Sequence, residues 1–283
     1  MANTVCDTTQ PLLPLELEQT IVEIAAFMII SFPLSSTSCA LELQLTTKRF
    51  REWTVPFLYR VLHIDRFFAG RTQSKAIEIL NRYGKHTRQF FGRWDKENTI
   101  EGLKRCPMLQ GIVNLHILLK FEEMHAAIQH HDTSSLQRLS AIFSTLKPEL
   151  LLSPVYCNIT HLEIVGFISD PKVLVSLPNL THLCFASPTR IADPNVLLDP
   201  VTEKAVGRKS LEVVVYSSED TRVPPADVRV IKLKRPLRYL IHLAQWMRHV
   251  NGEMDFWELA ERMIFARRDT FFSIYSYCCW INV

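Results

Sequence analysis

Residues 12–62 carry apolar side chains at helical spacing. An apolar residue recurs every three or four positions along the first part of this segment, at Leu17, Ile21, Ile24 and Met28. This spacing predicts an amphipathic helix, and Pro14 suits its first turn, where no backbone N–H is needed. The serine-rich loop 32–38 ends that helix, and residues 40–45 and 50–58 predict two more. Three short helices form only a small hydrophobic core, so we expect them to pack against a partner or against the rest of the chain.

Beyond residue 62 the pattern changes to short strands of LxxLxL spacing, separated by helical segments. The two clearest copies lie twenty-one residues apart and place these side chains in the core: Ile159, Leu162 and Ile164, then Leu180, Leu183 and Phe185. Fainter copies begin at Ile112, Leu211 and Val228, whereas residues 87–91 and 136–139 fit the template less well. Such units cannot bury their apolar side alone, so we expect them to stack with parallel strands into one irregular, leucine-rich-repeat-like solenoid.

Helical periodicity returns near the C-terminus. Residues 237–250 and 254–265 predict two helices, and Asn251-Gly252 between them is a stop signal. The pair offers a large apolar surface, built from Trp246, Phe256, Trp257 and Phe265. Because the last repeat of an array exposes its core edge, we predict that these helices cover that edge as a cap.

Composition narrows the class of protein. The chain has 283 residues, 47% hydrophobic and 22% charged, with a net charge of +3, which is too mild and too scattered to indicate nucleic acid binding. Seven cysteines without a CxxC pair indicate reduced thiols in the cytoplasm or nucleus. The N-terminal residues do not form a secretory signal, and the apolar stretch 24–32 is shorter than the ~20 residues of a membrane span.

Motifs of catalysis and cofactor binding do not occur in the sequence. GxSxG, GxxxxGK[ST], GxGxxG and HExxH are all missing, so we predict no enzymatic activity and no cofactor. The densest ligand-like cluster is His125, His130, His131 and Asp132. His125 and His130 are five residues apart, which splays them on a helix, so we expect a polar helix end there and no metal.

The two clearest strand copies suggest a binding surface. The residues between the apolar positions line the outer face of the strands, so His161 and His182 occupy equivalent positions, as do Glu163 and Cys184. In parallel strands these pairs lie roughly 4.8 Å apart. We predict a target-binding strip of Asn114, His116, His161, Glu163, His182 and Cys184. An ordinary strand surface without a partner is the alternative, and an enzyme site around His161, Glu163 and His182 is a further one.

The N-terminal segment resembles the F-box family. Leu13-Pro14, then Leu17 and Ile21, then LELQLTTKRFREW follow the order of that family's adaptor-binding module, and the trailing PFLYRVLHI resembles F-box-like proteins of mushroom-forming fungi. Phe50 stands where the family usually has Trp, and residues 27–38 lengthen the first connection.

This resemblance implies a substrate-recognition subunit of a Skp–cullin–F-box ubiquitin ligase, which itself performs no chemistry. Its helices would dock a Skp-type adaptor and through it cullin, and its repeats would hold a target protein. The matching adaptor-binding positions are Leu13, Pro14, Leu17, Ile21, Leu43, Leu45 and Phe50. The alternative is a leucine-rich-repeat scaffold whose first helices merely cap the array.

The predicted architecture is therefore α/β, in four parts. A flexible tail, 1–11, precedes the three-helix F-box-like module, 12–62; the repeat-like solenoid, 63–235, and the helical cap, 236–283, follow.

Overall fold

The computed structural model forms two compact units, Met1–Arg60 and Val61–Val283. It describes residues 14, 16–22, 48–92, 95–114, 119–131, 135–142, 148–165, 174, 177–186, 211–217, 227–233, 246–250 and 252–269.

In the first unit, helical structure is found at two of the three predicted places. Residues 16–22 are helical, and the carbonyl oxygen of Pro14 accepts hydrogen bonds from the backbone N–H groups of Leu17 and Glu18 at 3.0 and 3.1 Å. Helix α1 runs over Lys48–Leu58. The helix expected at 40–45 and the loop at 32–38 lie outside the described residues.

The second unit is organised around one open sheet. Eight strands are all paired in parallel, and their order in the sheet is their order along the chain. They are β1 Val61–His63, β2 Gln89–Gly92, β3 Gly111–Asn114, β4 Arg138–Ile142, β5 His161–Val165, β6 His182–Phe185, β7 Val213–Ser217 and β8 Val230–Leu233. The poorer template matches at 87–91 and 136–139 thus contribute β2 and β4.

Short helices connect the strands. They are α2 Ile64–Phe68, α3 Gln73–Tyr83, α4 Lys96–Lys104, α5 Phe121–Ile128 and α6 Pro148–Leu151, with 3₁₀ turns at Gly84–His86 and Pro154–Tyr156. Near the C-terminus, residues 246–250 are helical and α7 runs over Phe256–Asp269. Across the described parts of the chain, none of the helices has both the length and the apolar character that crossing a membrane requires.

One apolar side chain per strand forms a continuous row across the whole sheet, here called the apolar row. Its members lie directly opposite one another in register and are each at most 2% exposed: Leu62, Phe90, Ile112, Leu139, Leu162, Leu183, Val214 and Val230. The connecting helices pack on this face through buried side chains such as Leu80, Leu103 and Met124. Stacking neighbouring strands therefore builds one core, as the LxxLxL pattern predicts.

A repeated backbone arrangement joins successive strands where they begin. The carbonyl oxygen of Gln137 accepts hydrogen bonds from the N–H groups of Thr160 and His161, and that of Thr160 accepts from Thr181 and His182. Twenty-three residues separate Thr160 from Gln137, and 21 separate Thr181 from Thr160. The same shared carbonyl occurs at Arg88, Gln110 and Thr181. The starts of β3 to β7 are thus each held by the preceding strand.

The C-terminal helix does not lie where the sequence pattern placed it. Instead of covering the end of the last repeat, α7 packs on the second face of the sheet, where Phe256, Trp257, Ala260 and Ile264 join a buried cluster with Cys184, Val213, Val215 and Ile231. Phe265, expected on the apolar surface, is 67% exposed. The second face of these strands is itself apolar, so burying it stabilises the fold more than covering one edge would.

The apolar row makes a direct prediction about stability. Leu162→Ala should lower the free energy of unfolding by about 2–5 kcal/mol, because it opens a cavity between two neighbouring members of the row. Leu152→Ala is the matched control: Leu152 is 67% exposed, and we expect a change within about 0.5 kcal/mol. Urea unfolding of the full chain measures both. Equal losses would contradict the assignment of the row as the core.

Candidate functional site: a histidine pair beneath the C-terminal helix

The predicted adaptor-binding residues that the structure describes lie in the first unit. Leu17 and Ile21, one helical turn apart, are 52% and 55% exposed. Pro14 is exposed, and Phe50 is half-buried with its ring centroid 5.8 Å from that of Trp53. Leu13, Leu43 and Leu45 lie outside the described residues. An apolar stripe is thus present on the helix over residues 16–22, here called the first helix.

The predicted pairing of the target-binding strip is confirmed for four of its residues. His161 lies opposite His182, and Glu163 lies opposite Cys184, in the parallel register of β5 and β6. The two imidazole rings are stacked with centroids 4.1 Å apart and an interplanar angle of 15°. His116 lies outside the described residues.

Asn114 was assigned to the wrong face. The structure pairs Ile112 with Leu139 and Asn114 with Ala141, which places Asn114 on the same face as the apolar row. There it is 2% exposed, and its amide Nδ2 lies 4.0 Å from the Met124 sulfur. The template aligned Ile112 with Ile159, whereas the register makes it equivalent to Leu162. Because side chains alternate along a strand, that difference moves Asn114 to the opposite face.

The expectation that the strip is an open outer face is also wrong for the described residues. Glu163, His182 and Cys184 are buried, and His161 is half-buried. The ring of Trp257 meets both imidazoles edge-on, with centroids 5.4 Å from His161 and 5.6 Å from His182. Helix α7 therefore occupies the surface that the sequence pattern offered to a target.

Polar contacts hold each histidine in place. Nδ1 of His161 lies 2.8 Å from the Thr160 hydroxyl, and Nδ1 of His182 lies 2.8 Å from the Thr181 hydroxyl. Nε2 of His182 lies 2.8 Å from Glu261 Oε1 on α7, whose side chain is half exposed. The pair is thus oriented from the strand side and contacted by a carboxylate from the helix side.

A second polar link joins α7 to the sheet beside the histidines. Asp255 accepts hydrogen bonds through Oδ1 from the backbone N–H groups of Trp257 and Glu258, both at 3.0 Å, which is the arrangement of a helix N-cap. Its Oδ2 accepts from Arg138 on β4 at 2.8 Å. His249 Nδ1 lies 3.5 Å from the same oxygen. One buried carboxylate therefore both starts the helix and ties it to the sheet.

Burial shifts the titration of the groups under α7. Desolvation, followed by the neighbouring positive groups, lowers the pKa of His161 to about 2. Desolvation also lowers the pKa of His182, against the opposing effect of Glu261. Burial raises the pKa of the Cys184 thiol well above its usual value. Burial thus disfavours the charged form of each of these three groups.

A small cavity adjoins the pair. Its volume is about 40 Å³, and its lining includes Arg138, His161, Glu163, His249 and Trp257. That volume holds about two or three water molecules, whereas small-molecule sites enclose roughly 300–1,000 Å³. The arrangement suits an ion or a few waters between sheet and helix.

Metal-ligating side chains converge at this site. His125 lies in the last turn of α5 with its ring centroid 5.7 Å from that of Tyr156, His130 is exposed, and Asp132 lies outside the described residues. Within the described part of the chain, a three-residue group able to hold an ion is formed by His161, His182 and Glu261, whose ligand atoms lie within 4.8 Å of one another.

Sequence reasoning missed Arg138, Asp255 and Glu261. The spacing Asp255-x-x-Glu258 is a capping pattern, and Trp257 and Glu261 are four residues apart, so a helical projection places both on one side of α7. Their partners on the sheet left no local signal, because 79 residues separate Glu261 from His182 and 117 separate Asp255 from Arg138.

The double role of Asp255 predicts different losses for two substitutions. Asp255→Ala removes both the cap and the buried ion pair and should lower the free energy of unfolding by about 2–4 kcal/mol. Asp255→Asn keeps a capping oxygen, so its loss should be about half as large or smaller. Denaturant unfolding followed by circular dichroism compares them. Identical losses would mean that the cap contributes nothing.

The buried histidines predict a pH dependence of stability. Because their folded-state pKa values are lowered, the unfolded chain binds more protons below about pH 6.5, and stability falls as the pH falls. Each histidine contributes a slope of up to about 1.4 kcal/mol per pH unit. His161→Asn should make the slope between about pH 7 and 5.5 shallower. His130→Asn, at an exposed position, should leave it unchanged. An unaltered slope in His161→Asn would contradict the expectation that burial disfavours protonation of the His161 imidazole.

No protein-family model matches the chain, and no curated protein matches it.

Proposed function

We propose that this chain is the substrate-recognition subunit of a Skp–cullin–F-box ubiquitin ligase. Its N-terminal helices bind a Skp-type adaptor and through it cullin, and its strand-and-helix region holds a target protein. The chain performs no chemistry of its own: it raises the local concentration of the target near a recruited ubiquitin-conjugating enzyme.

The exposed apolar stripe on the first helix carries the adaptor-binding part of the proposal. Leu17 and Ile21 leave more than half of their side chains in solvent, on the residues that resemble the F-box. Burying the exposed part of each against a partner stabilises a complex by about 1–2 kcal/mol. Pro14 is exposed at the start of the same helix and belongs to the proposed surface. Leu13, Leu43, Leu45 and Phe50 complete it by resemblance.

The second unit supports a leucine-rich-repeat-like solenoid over residues 63–235. Strands that follow one another in both sheet and chain, a single apolar row, and shared carbonyls at 21- and 23-residue steps are what a stack of short repeats produces. Such a stack offers extended surfaces to a protein partner. Since α7 covers His161, Glu163, His182 and Cys184, we restrict the proposed target surface to parts of the repeats outside that helix.

A cytoplasmic or nuclear location fits this function. The cysteines that the structure describes, Cys106, Cys157 and Cys184, are free thiols. Reduced thiols are the usual state of cysteine in those compartments.

Direct binding tests the adaptor surface. The full chain mixed with a purified Skp-type adaptor should form a complex in size-exclusion chromatography, and calorimetry gives its dissociation constant. Leu17→Ala combined with Ile21→Ala should weaken binding at least about tenfold, because both side chains lose apolar contact.

The control keeps the chemical change and moves it to the other unit. Leu152→Ala also truncates an exposed leucine and should leave the adaptor affinity unchanged. If the unaltered chain forms no complex, the adaptor assignment is wrong, and the chain is better described as a repeat scaffold. If the double variant binds as well as the unaltered chain, the adaptor docks elsewhere.

A further inference from the structure

The histidine pair and Glu261 have the composition and the convergence of a metal site. Two imidazole nitrogens and one carboxylate oxygen, one from each residue, lie within 4.8 Å of one another. The set joins three elements: β5, β6 and α7. Two histidines and one carboxylate are ligands that Zn²⁺ accepts in tetrahedral geometry, with a water in the fourth position.

The threonine beside each histidine favours the tautomer that a metal requires. The Thr160 hydroxyl donates to the carbonyl oxygen of Gln137 at 3.2 Å, and the Thr181 hydroxyl donates to that of Thr160 at 3.2 Å. Each hydroxyl has one proton, so its oxygen then accepts from the neighbouring imidazole Nδ1–H at 2.8 Å. With Nδ1 protonated, Nε2 carries the free lone pair. Outer partners of this kind orient metal-bound histidines.

Both Nε2 lone pairs then lie at the same end of the stacked rings. The two rings are stacked at 15° and are anchored through the same atom to equivalent threonines, so their Nε2 atoms point in the same direction. A neutral imidazole binds a metal ion through such a lone pair.

With Nδ1 protonated, the contact between His182 and Glu261 is stabilised by a positive charge. In this tautomer a nitrogen lone pair and a carboxylate oxygen lie 2.8 Å apart, which is repulsive unless a proton or a cation lies between or beside them. A divalent ion bound by both atoms and by His161 satisfies all three groups at once. The half-exposed Glu261 side chain can adjust to bonds of about 2.0–2.2 Å.

The nearby Arg138 does not oppose such an ion with its full charge. Its guanidinium donates to the buried carboxylate of Asp255 at 2.8 Å, so the positive charge is largely balanced within α7 and β4. The ring of Trp257 packs against both histidines and shields the pair from bulk water.

We propose that His161, His182 and Glu261 form a Zn²⁺ site that fastens α7 to β5 and β6. The ion links residues far apart in sequence and holds the helix over the strand face. The site belongs to the second unit and is independent of the proposed adaptor surface.

Zinc titration of the full chain tests the site. After chelator treatment and dialysis, calorimetry with ZnCl₂ should show one equivalent bound, and Tm should rise with zinc concentration, because the ion binds the folded chain. Co²⁺ in place of zinc should give the visible absorption of a tetrahedral N/O site, which reports on ligand type as well as on affinity.

Three variants separate this site from zinc bound elsewhere. Glu261→Gln, at a half-exposed position that preserves the fold, and His182→Asn should each weaken zinc binding at least about tenfold and reduce the rise in Tm. His130→Ala, at an exposed histidine, should bind zinc as the unaltered chain does. Circular dichroism without zinc checks that each variant is folded, and Glu261→Gln decides the question if His182→Asn is not.

Two results would overturn the proposal. One is a chain that binds no zinc, in which case His182 Nε2–H simply donates a hydrogen bond to Glu261. The other is zinc binding that Glu261→Gln leaves unchanged. Neither result bears on adaptor binding, which is measured on the other unit with a different partner.

Discussion

The packing of each parallel strand on the one before it is the constraint from which the second unit follows. A strand of three to five residues is unstable alone. Here β3 to β7 each begin on a carbonyl shared with the preceding strand, and every strand of the sheet adds one side chain to the apolar row. Parallel neighbours require a crossover connection, and the connecting helices that the structure describes pack on the face of that row. Chain order, sheet order and core position are thus consequences of one repeated contact.

The cover of the second face of the sheet combines apolar burial with the desolvation of polar side chains. Its apolar positions on β6, β7 and β8 need cover, and α7 supplies it through Phe256, Trp257 and Ile264. That cover also buries two histidines and a glutamate, whose desolvation is costly unless they stay neutral or find partners. The threonine hydroxyls contact both imidazoles, and Glu261 contacts His182. The polar contacts therefore fix where the helix lies, while apolar burial supplies most of the stability.

The two proposed activities divide between the two units. The proposed adaptor surface uses side chains that the first helix leaves in solvent, so its strength comes from burying Leu17 and Ile21 in a complex. The proposed zinc site uses two histidines that the second unit orients beneath α7 and a half-exposed glutamate on that helix. The strip that the sequence pattern offered to a target protein lies beneath α7.

The sequence by itself determined the features that depend on neighbours along the chain. LxxLxL spacing located β5 and β6 and placed His161 opposite His182, because alternation along a strand and a constant offset between copies fix the register. Helical periodicity likewise located α7. Helical periodicity did not locate the surface on which α7 packs, because a period shows which side of a helix is apolar and not what that side contacts. Tertiary structure alone decided three features: the face on which Asn114 lies, the exposure of Phe265, and the contact of Glu261 with His182. Each depends on contacts between residues that lie far apart in the sequence.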